Sequence, residues 1–358
     1  LSYPDLAEAS FCVGPFPRLR NYGKVFRYIV DVVICIDLFG SCCVYEIMIA
    51  RSIVQLIKTA KDEPIVDEEG KSIAEPISDV RILVVVILIP ILLLCMIRSL
   101  KYLAPFSIVA NIFIVLTVFS TVAYSFKVDK RPAIEEMPFF NTIAGFFEFA
   151  GVVVFSMEGV GVALPIENNM RHPDHFPVAL IGGMAVVVSF VCIVGFFGYW
   201  GWNNECKAPV TLNLPAELYP NLLKGLMAFM IYVTFALNYW APFNLCWHYI
   251  QKKYDASKHW IWERVYRAII IVCITIVAIV FPSITALMGV LGGLCLSNMG
   301  FIFPAIIETL VKWEKPGLGK FRWLLLKNVF IGFIGFILFV TSTYFNGIEM
   351  INAFTTVS

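Results

Sequence analysis

Nine stretches of this chain stay apolar for about 20 residues or more, and as a helix each is long enough to cross roughly 30 Å of hydrocarbon. Lipid offers no water to backbone amides, so a spanning segment must satisfy its own hydrogen bonds as a helix or close into a barrel. A barrel needs alternating segments of about 10 residues, and these runs are continuous. The expected spans are 24–57, 80–98, 104–126, 142–168, 176–200, 219–247, 261–281, 284–311 and 324–346. Of the 358 residues, 59% are hydrophobic and 15% charged, with a mean hydropathy of +0.81, far above a soluble domain. The fold class is all-α and polytopic, in a lipid bilayer such as the plasma membrane or a lysosomal or endosomal membrane.

Several function classes fall away on the same grounds. A net charge of +1 gives no basic surface for nucleic acid. There is no phosphate loop and no metal-ligand spacing of cysteine and histidine. The ten cysteines lie mostly in apolar spans, as small buried hydrophobes. Carboxylates and histidines form no nucleophile, base and orienter set, so an enzyme is not expected. Residues 1–23 lack the basic start and apolar run of a signal peptide, and the chain reads as beginning partway through a longer protein. Most of the 27 lysines and arginines fall on the side of that segment, which places it in the cytosol and the C-terminus outside or in a lumen.

One span is interrupted. FSMEGVGVALPIENNM, from Phe155 to Met170, puts Glu158, Gly159, Gly161 and Pro165 inside an apolar run. Pro165 has no N–H, so the Gly161 carbonyl loses its helical partner. The two glycines lower the cost of leaving helical geometry there. The expected result is two half-helices joined by an unwound stretch near Met157–Gly161. Two readings stay open: a binding site lined by unwound backbone, or a proline kink with glycines for close packing. For a site, the carbonyls near Phe155 and Ser156 suit an ammonium group, and the N–H groups opening the second half suit an anion. A zwitterion such as an amino acid has both. Glu158 is either a proton carrier or a structural acceptor, since an ionisable group in a span is paired or functional.

EGVGVALPIENNM (residues 158–170) resembles the sixth span of the proton-coupled amino acid transporters of the amino acid/auxin permease family. LFGSCCVYEIMIA (38–50) is similar to their third span, VTLNLP (210–215) to the loop before the eighth, and GVLGGLCLSNMGFIFPAIIE (289–308) to the tenth. The resemblance implies the inverted-repeat fold of the bacterial leucine transporter, with nine of eleven spans here and the first two absent. It implies that backbone around Phe155, Ser156, Met157, Glu158, Gly159, Val160 and Gly161 holds a substrate amino group. Tyr45 resembles a tyrosine that meets the substrate carboxylate.

Asp37 departs from the family pattern, where a neutral amide is common. With Ser41 and Tyr45 it shares one helix face, either tuning ion coupling or pairing with a base. Asp31 is expected to pair with Arg27 one turn away. Thr234 and Asn238 also share a face and are candidate pocket groups or interhelical bonds. Gly289, Gly292 and Gly293 suit close packing or gating. The implied function is secondary active symport of small neutral amino acids of the glycine, alanine and proline class by alternating access, with no cofactor beyond a coupling proton. The alternatives are a proton-independent facilitative carrier, and an amino acid receptor whose basic segments 248–262 and 312–324 dock a cytosolic signalling partner.

Overall fold

The computed structural model describes residues 2–61, 77–97, 104–128, 137–138, 140–157, 159, 163, 166–168, 170–203 and 206–355. Two short helices come first, α1 (Tyr3–Val13) and α2 (Pro17–Arg20), followed by the long α3 (Gly23–Ala60). Next are α4 (Ile77–Cys95), α5 (Ala104–Ser125), α6 (Ile143–Ser156) and α7 (Phe176–Trp202). Then come α8 (Leu218–Ile250), α9 (His259–Val280) and α10 (Ile284–Leu291). Two π-helical segments, Gly292–Leu296 and Asn298–Ile302, lead into α11 (Phe303–Val311), and α12 (Trp323–Thr355) closes the chain. Among the described residues there is no strand. Among the described residues, six helical stretches are long and apolar enough to cross a membrane by length and composition: Gly23–Ala60, Ile108–Ser125, Pro173–Trp202, Leu218–Lys253, Ile284–Val311 and Trp323–Ala353. α7 exposes Val178, Ile181 and Val186, the pattern of a helix clothed by lipid rather than by protein.

The chain divides into two compact units. The first comprises Leu1–Asp37, Asn141–Val187 and Ala286–Asn352. Here α1 starts with a reciprocal cap: the Ser2 hydroxyl accepts from the Asp5 amide at 3.4 Å and the Asp5 carboxylate accepts from the Ser2 amide at 3.0 Å. Pro4 in the first turn costs nothing, because its missing N–H has no helical partner there. α1 packs on α11 and the adjoining π segment. Buried Tyr3 donates its hydroxyl to the Met299 carbonyl at 2.9 Å, and Phe26 stands between Phe11 and Phe303 with ring centroids 4.7 and 5.3 Å away. Arg27 reaches back to Asp5 and Glu8, each at 3.0 Å. Glu308 on α11 accepts from Lys312 at 2.9 Å and from Lys327 of α12 at 2.8 Å.

Within the same unit, glycines set how closely helices approach. A Cβ on Gly151 of α6 would meet the Gly289 carbonyl at 2.6 Å and the Ser342 hydroxyl. One on Gly292 would fall on the Gly151 carbonyl, and one on Gly293 would lie 2.8 Å from the Thr343 amide. Asn346 of α12 bonds back to the Ser342 carbonyl at 2.9 Å and occupies the space beside Gly289. The close-packing role expected of Gly289, Gly292 and Gly293 is what their surroundings require.

The second unit comprises Leu38–Phe140, Val188–Thr285 and Ala353–Ser358. α9 packs on α4, and α8 packs on α4 and α5. Along α8 the rings of Phe235, Tyr239, Phe243 and Trp247 stack at successive turns, with interplanar angles of 9°, 22° and 9°. Arg267 of α9 is buried with Glu263, 3.0 Å away, donates to the Cys95 carbonyl of α4 at 2.7 Å, and lies 4.5 Å from the Phe243 ring. Buried charges persist when paired and fully hydrogen-bonded in this way. Lys224, fully buried, donates to the Leu214 carbonyl at 2.9 Å.

Two outcomes follow. Gly292→Ala should destabilise the protein by about 1–3 kcal/mol through overpacking, read as a lower unfolding temperature in detergent, whereas Gly183→Ala, with open space at its Cβ, should not. The Ser2 hydroxyl, with smaller help from the Ser2 amide and the Arg27 guanidinium, holds the Asp5 carboxyl below its ordinary range. Its contribution to α1 docking is therefore present at neutral pH and is lost as pH falls through that depressed value. Asp5→Asn should reproduce the loss at neutral pH, with amide exchange in α1 about threefold faster.

Candidate functional site

The interrupted span is one place where the first unit departs from regular helix. Thr142 caps the start of α6, its hydroxyl accepting from the Gly145 amide at 3.0 Å. The helix then ends at Ser156. Met157 is the C-cap with φ −94° and ψ 18°, and its amide bonds the Val154 carbonyl at 3.2 Å, a tightened last turn. Ser156 turns its hydroxyl back onto the Val153 carbonyl at 2.7 Å. Residues 166–168 are again helical. Phe155 is buried, while Ser156, Met157 and Gly159 are half-buried. Glu158, Val160, Gly161 and Pro165 lie outside the described residues.

Within the first unit the end of α6 rests on a firm base. About one and a half turns before Ser156, Gly151 is in contact distance of Gly289 and Gly292, so α10 and the π segment after it fix the carbonyl end of the helix from the side. At that level Ile284–Val311 carries both π segments, and the Ser297 hydroxyl donates to the Gly292 carbonyl at 3.1 Å. Helix C-termini carry partial negative charge from their last carbonyls, so the end at Ser156 suits a cationic group. Asp37, which ends the first of this unit's three segments, is 1% exposed.

Within the second unit, two candidate residues meet. The Asn238 amide of α8 donates to the Tyr45 phenol of α3 at 3.0 Å, and both side chains are half-buried. Thr234, one turn away on α8, spends its hydroxyl on the Met230 carbonyl at 2.9 Å, so its donor is committed to its own helix. Ser41 is fully buried. Beside Tyr45 stands a residue that the motif reading passed over. Glu46 is fully buried and accepts from the Thr275 hydroxyl of α9 at 3.0 Å through Oε1, while Oε2 has no hydrogen-bond partner among the described residues. Its signal in the sequence was the same as that of Glu158, a carboxylate inside an apolar span.

Comparison with known proteins agrees with this picture. Residues 1–347 match the family described as "Transmembrane amino acid transporter protein". The chain is 31% identical over 342 residues to "Proton-coupled amino acid transporter-like protein pathetic" of Drosophila melanogaster, covering 94% of this chain and 68% of that protein. It is 24% identical over 321 residues to "Amino acid transporter AVT3B" of Arabidopsis thaliana, covering 87% and 74%. With nearly the whole length matched, the chain belongs to the transmembrane amino acid transporter family, and is a multi-pass integral membrane protein that serves amino acid transport rather than enzymatic conversion.

Proposed function

We propose that the protein is a proton-coupled symporter of small neutral amino acids, of the glycine, alanine and proline class, working by alternating access. The observation that carries the reading is the end of α6 at Ser156, where a helix stops in the middle of an apolar span. Non-helical backbone at that depth persists only where protein or a cavity covers it, and such breaks mark transporter binding sites. The carbonyl end of α6 at Phe155, Ser156 and Met157 receives the substrate ammonium, with Gly159 just beyond it and Gly161 assigned to the same site by the motif alone. Tyr45 offers a neutral donor to a carboxylate and is braced by Asn238. Thr234, with its donor on the Met230 carbonyl, keeps its hydroxyl oxygen as an acceptor one turn from Asn238. Glu158 and Asp37 are the motif-based candidates for proton coupling. The name of the Drosophila relative supports coupling to protons. In this reading nine spans cross the membrane, with residues 1–23 in the cytosol.

The test is uptake of labelled glycine, alanine and proline by vesicles carrying the purified protein, with and without an inward proton gradient. Saturable uptake stimulated by the gradient is the expected result. Absence of uptake in both conditions would sink the transport reading, and uptake indifferent to the gradient would replace symport by facilitated exchange. In the same assay Tyr45→Phe should raise the apparent KM about tenfold, or about 1.4 kcal/mol, with a smaller change in maximal rate. An unchanged KM would remove Tyr45 from substrate binding.

A further inference from the structure

We propose that Glu46 is a proton-binding site of the transport cycle, with Thr275 as its positioning partner; the assignment rests on the proton-coupled reading above. Glu46 sits at zero exposure in the second unit with one oxygen engaged by Thr275 and the other unpartnered among the described residues. Thr275 is itself 2% exposed, so the pair is closed from solvent on both sides.

What distinguishes Glu46 is the lack of a compensating charge among the described residues. Four cations of the same unit are engaged with other groups. Arg267 is divided between Glu263 and the Cys95 carbonyl, and Arg51 donates to the Ala208 and Pro282 carbonyls at 3.2 and 2.9 Å. Arg81 donates to the Ile279 carbonyl at 3.0 Å, and Lys224 to the Leu214 carbonyl. No described cation pairs with Glu46. The other titratable groups nearby are neutral thiols and a phenol. Cys43 lies on its own helix with Sγ 3.5 Å from the Ile274 carbonyl, Cys95 is on α4, and Tyr239 of α8 donates to the Arg267 carbonyl at 3.0 Å.

A lone ionised carboxylate buried without a cation or a full set of donors is costly, and such groups change protonation instead of holding the charge. A purely structural acceptor for one threonine would be served as well by glutamine, without that cost. Proton uptake forms an O–H bond at Oε2 and removes the charge. Release restores the carboxylate, and Thr275 keeps its bond to Oε1 in both states. No other reactant is consumed. The pair ties α3 to α9 at the helix position next to Tyr45, so the protonation state of Glu46 is felt within the same turn as a candidate substrate group.

The experiment uses purified protein in vesicles, labelled alanine and an imposed proton gradient. Glu46→Gln should lose gradient-driven accumulation at least about tenfold and flatten the pH profile, while alanine exchange without a gradient continues. Thr275→Val keeps the carboxyl but removes its donor, and should move the midpoint of the pH profile upward by about one unit, since a hydrogen bond donated to a carboxylate favours its charged form. This second variant reports on the site even where Glu46→Gln fails to fold. Gradient-driven uptake by Glu46→Gln with the wild-type pH profile, or an unmoved midpoint in Thr275→Val, would overturn the assignment alone. Gradient-indifferent uptake by the wild type would overturn the coupling reading and the assignment with it.

Discussion

A peptide group inside hydrocarbon has no water to turn to, and every irregularity in this protein has to answer that constraint. Where α6 stops at Ser156, the last turn tightens, the Ser156 hydroxyl folds back on the Val153 carbonyl, and the glycine contacts at Gly151 bring neighbouring backbone against the helix. Where Ile284–Val311 widens into π geometry, side chains from Ser297 and Asn298 take up the Gly292 and Leu294 carbonyls at 3.1 and 2.6 Å. At these two places side chains or a second backbone supply partners, and glycine provides the room.

Charge obeys the same rule. In the second unit Arg51, Arg81, Arg267 and Lys224 all end on backbone carbonyls at helix ends or loops, so the cations serve as caps for exposed lone pairs rather than as a field. These four side chains direct positive charge at backbone carbonyls, Arg267 sharing its own with Glu263. A carboxylate placed among them, as Glu46 is, therefore finds donors scarce.

Hydrophobic length alone made the helical architecture legible, because a 20-residue apolar run in lipid has one cheap conformation. The stop near Phe155 was legible from Pro165 and two glycines, whose backbone consequences are local. Close packing at Gly289, Gly292 and Gly293 was foreseen, but the π geometry that accompanies it was not, since periodicity within one helix does not register a single surplus residue. α1 is short and lies outside the apolar runs, so hydrophobic length does not register it, although Ser2, Pro4 and Asp5 form a helix-start signature. Tyr45 and Asn238 were each identified on their own helix face, yet their meeting joins positions 193 residues apart and is a tertiary fact. Glu46 falls one residue off the face shared by Asp37, Ser41 and Tyr45, and its partner Thr275 is 229 residues away, so helix periodicity does not reveal it.

The two π segments carry a mechanical meaning. Each stores about one residue of surplus chain relative to a regular helix, and one residue corresponds to about 100° of rotation. α11 thus presents Phe303 to α1 at an azimuth set by the bulges upstream of it. Tyr3 grips the Met299 carbonyl inside the second bulge and acts as a detent on that angle. Absorbing one bulge into regular helix would swing the buried face of α11 round by nearly a third of a turn, and the Tyr3 grip would have to open first. A sideways bond between a short helix and one carbonyl thereby becomes a lock on torsion.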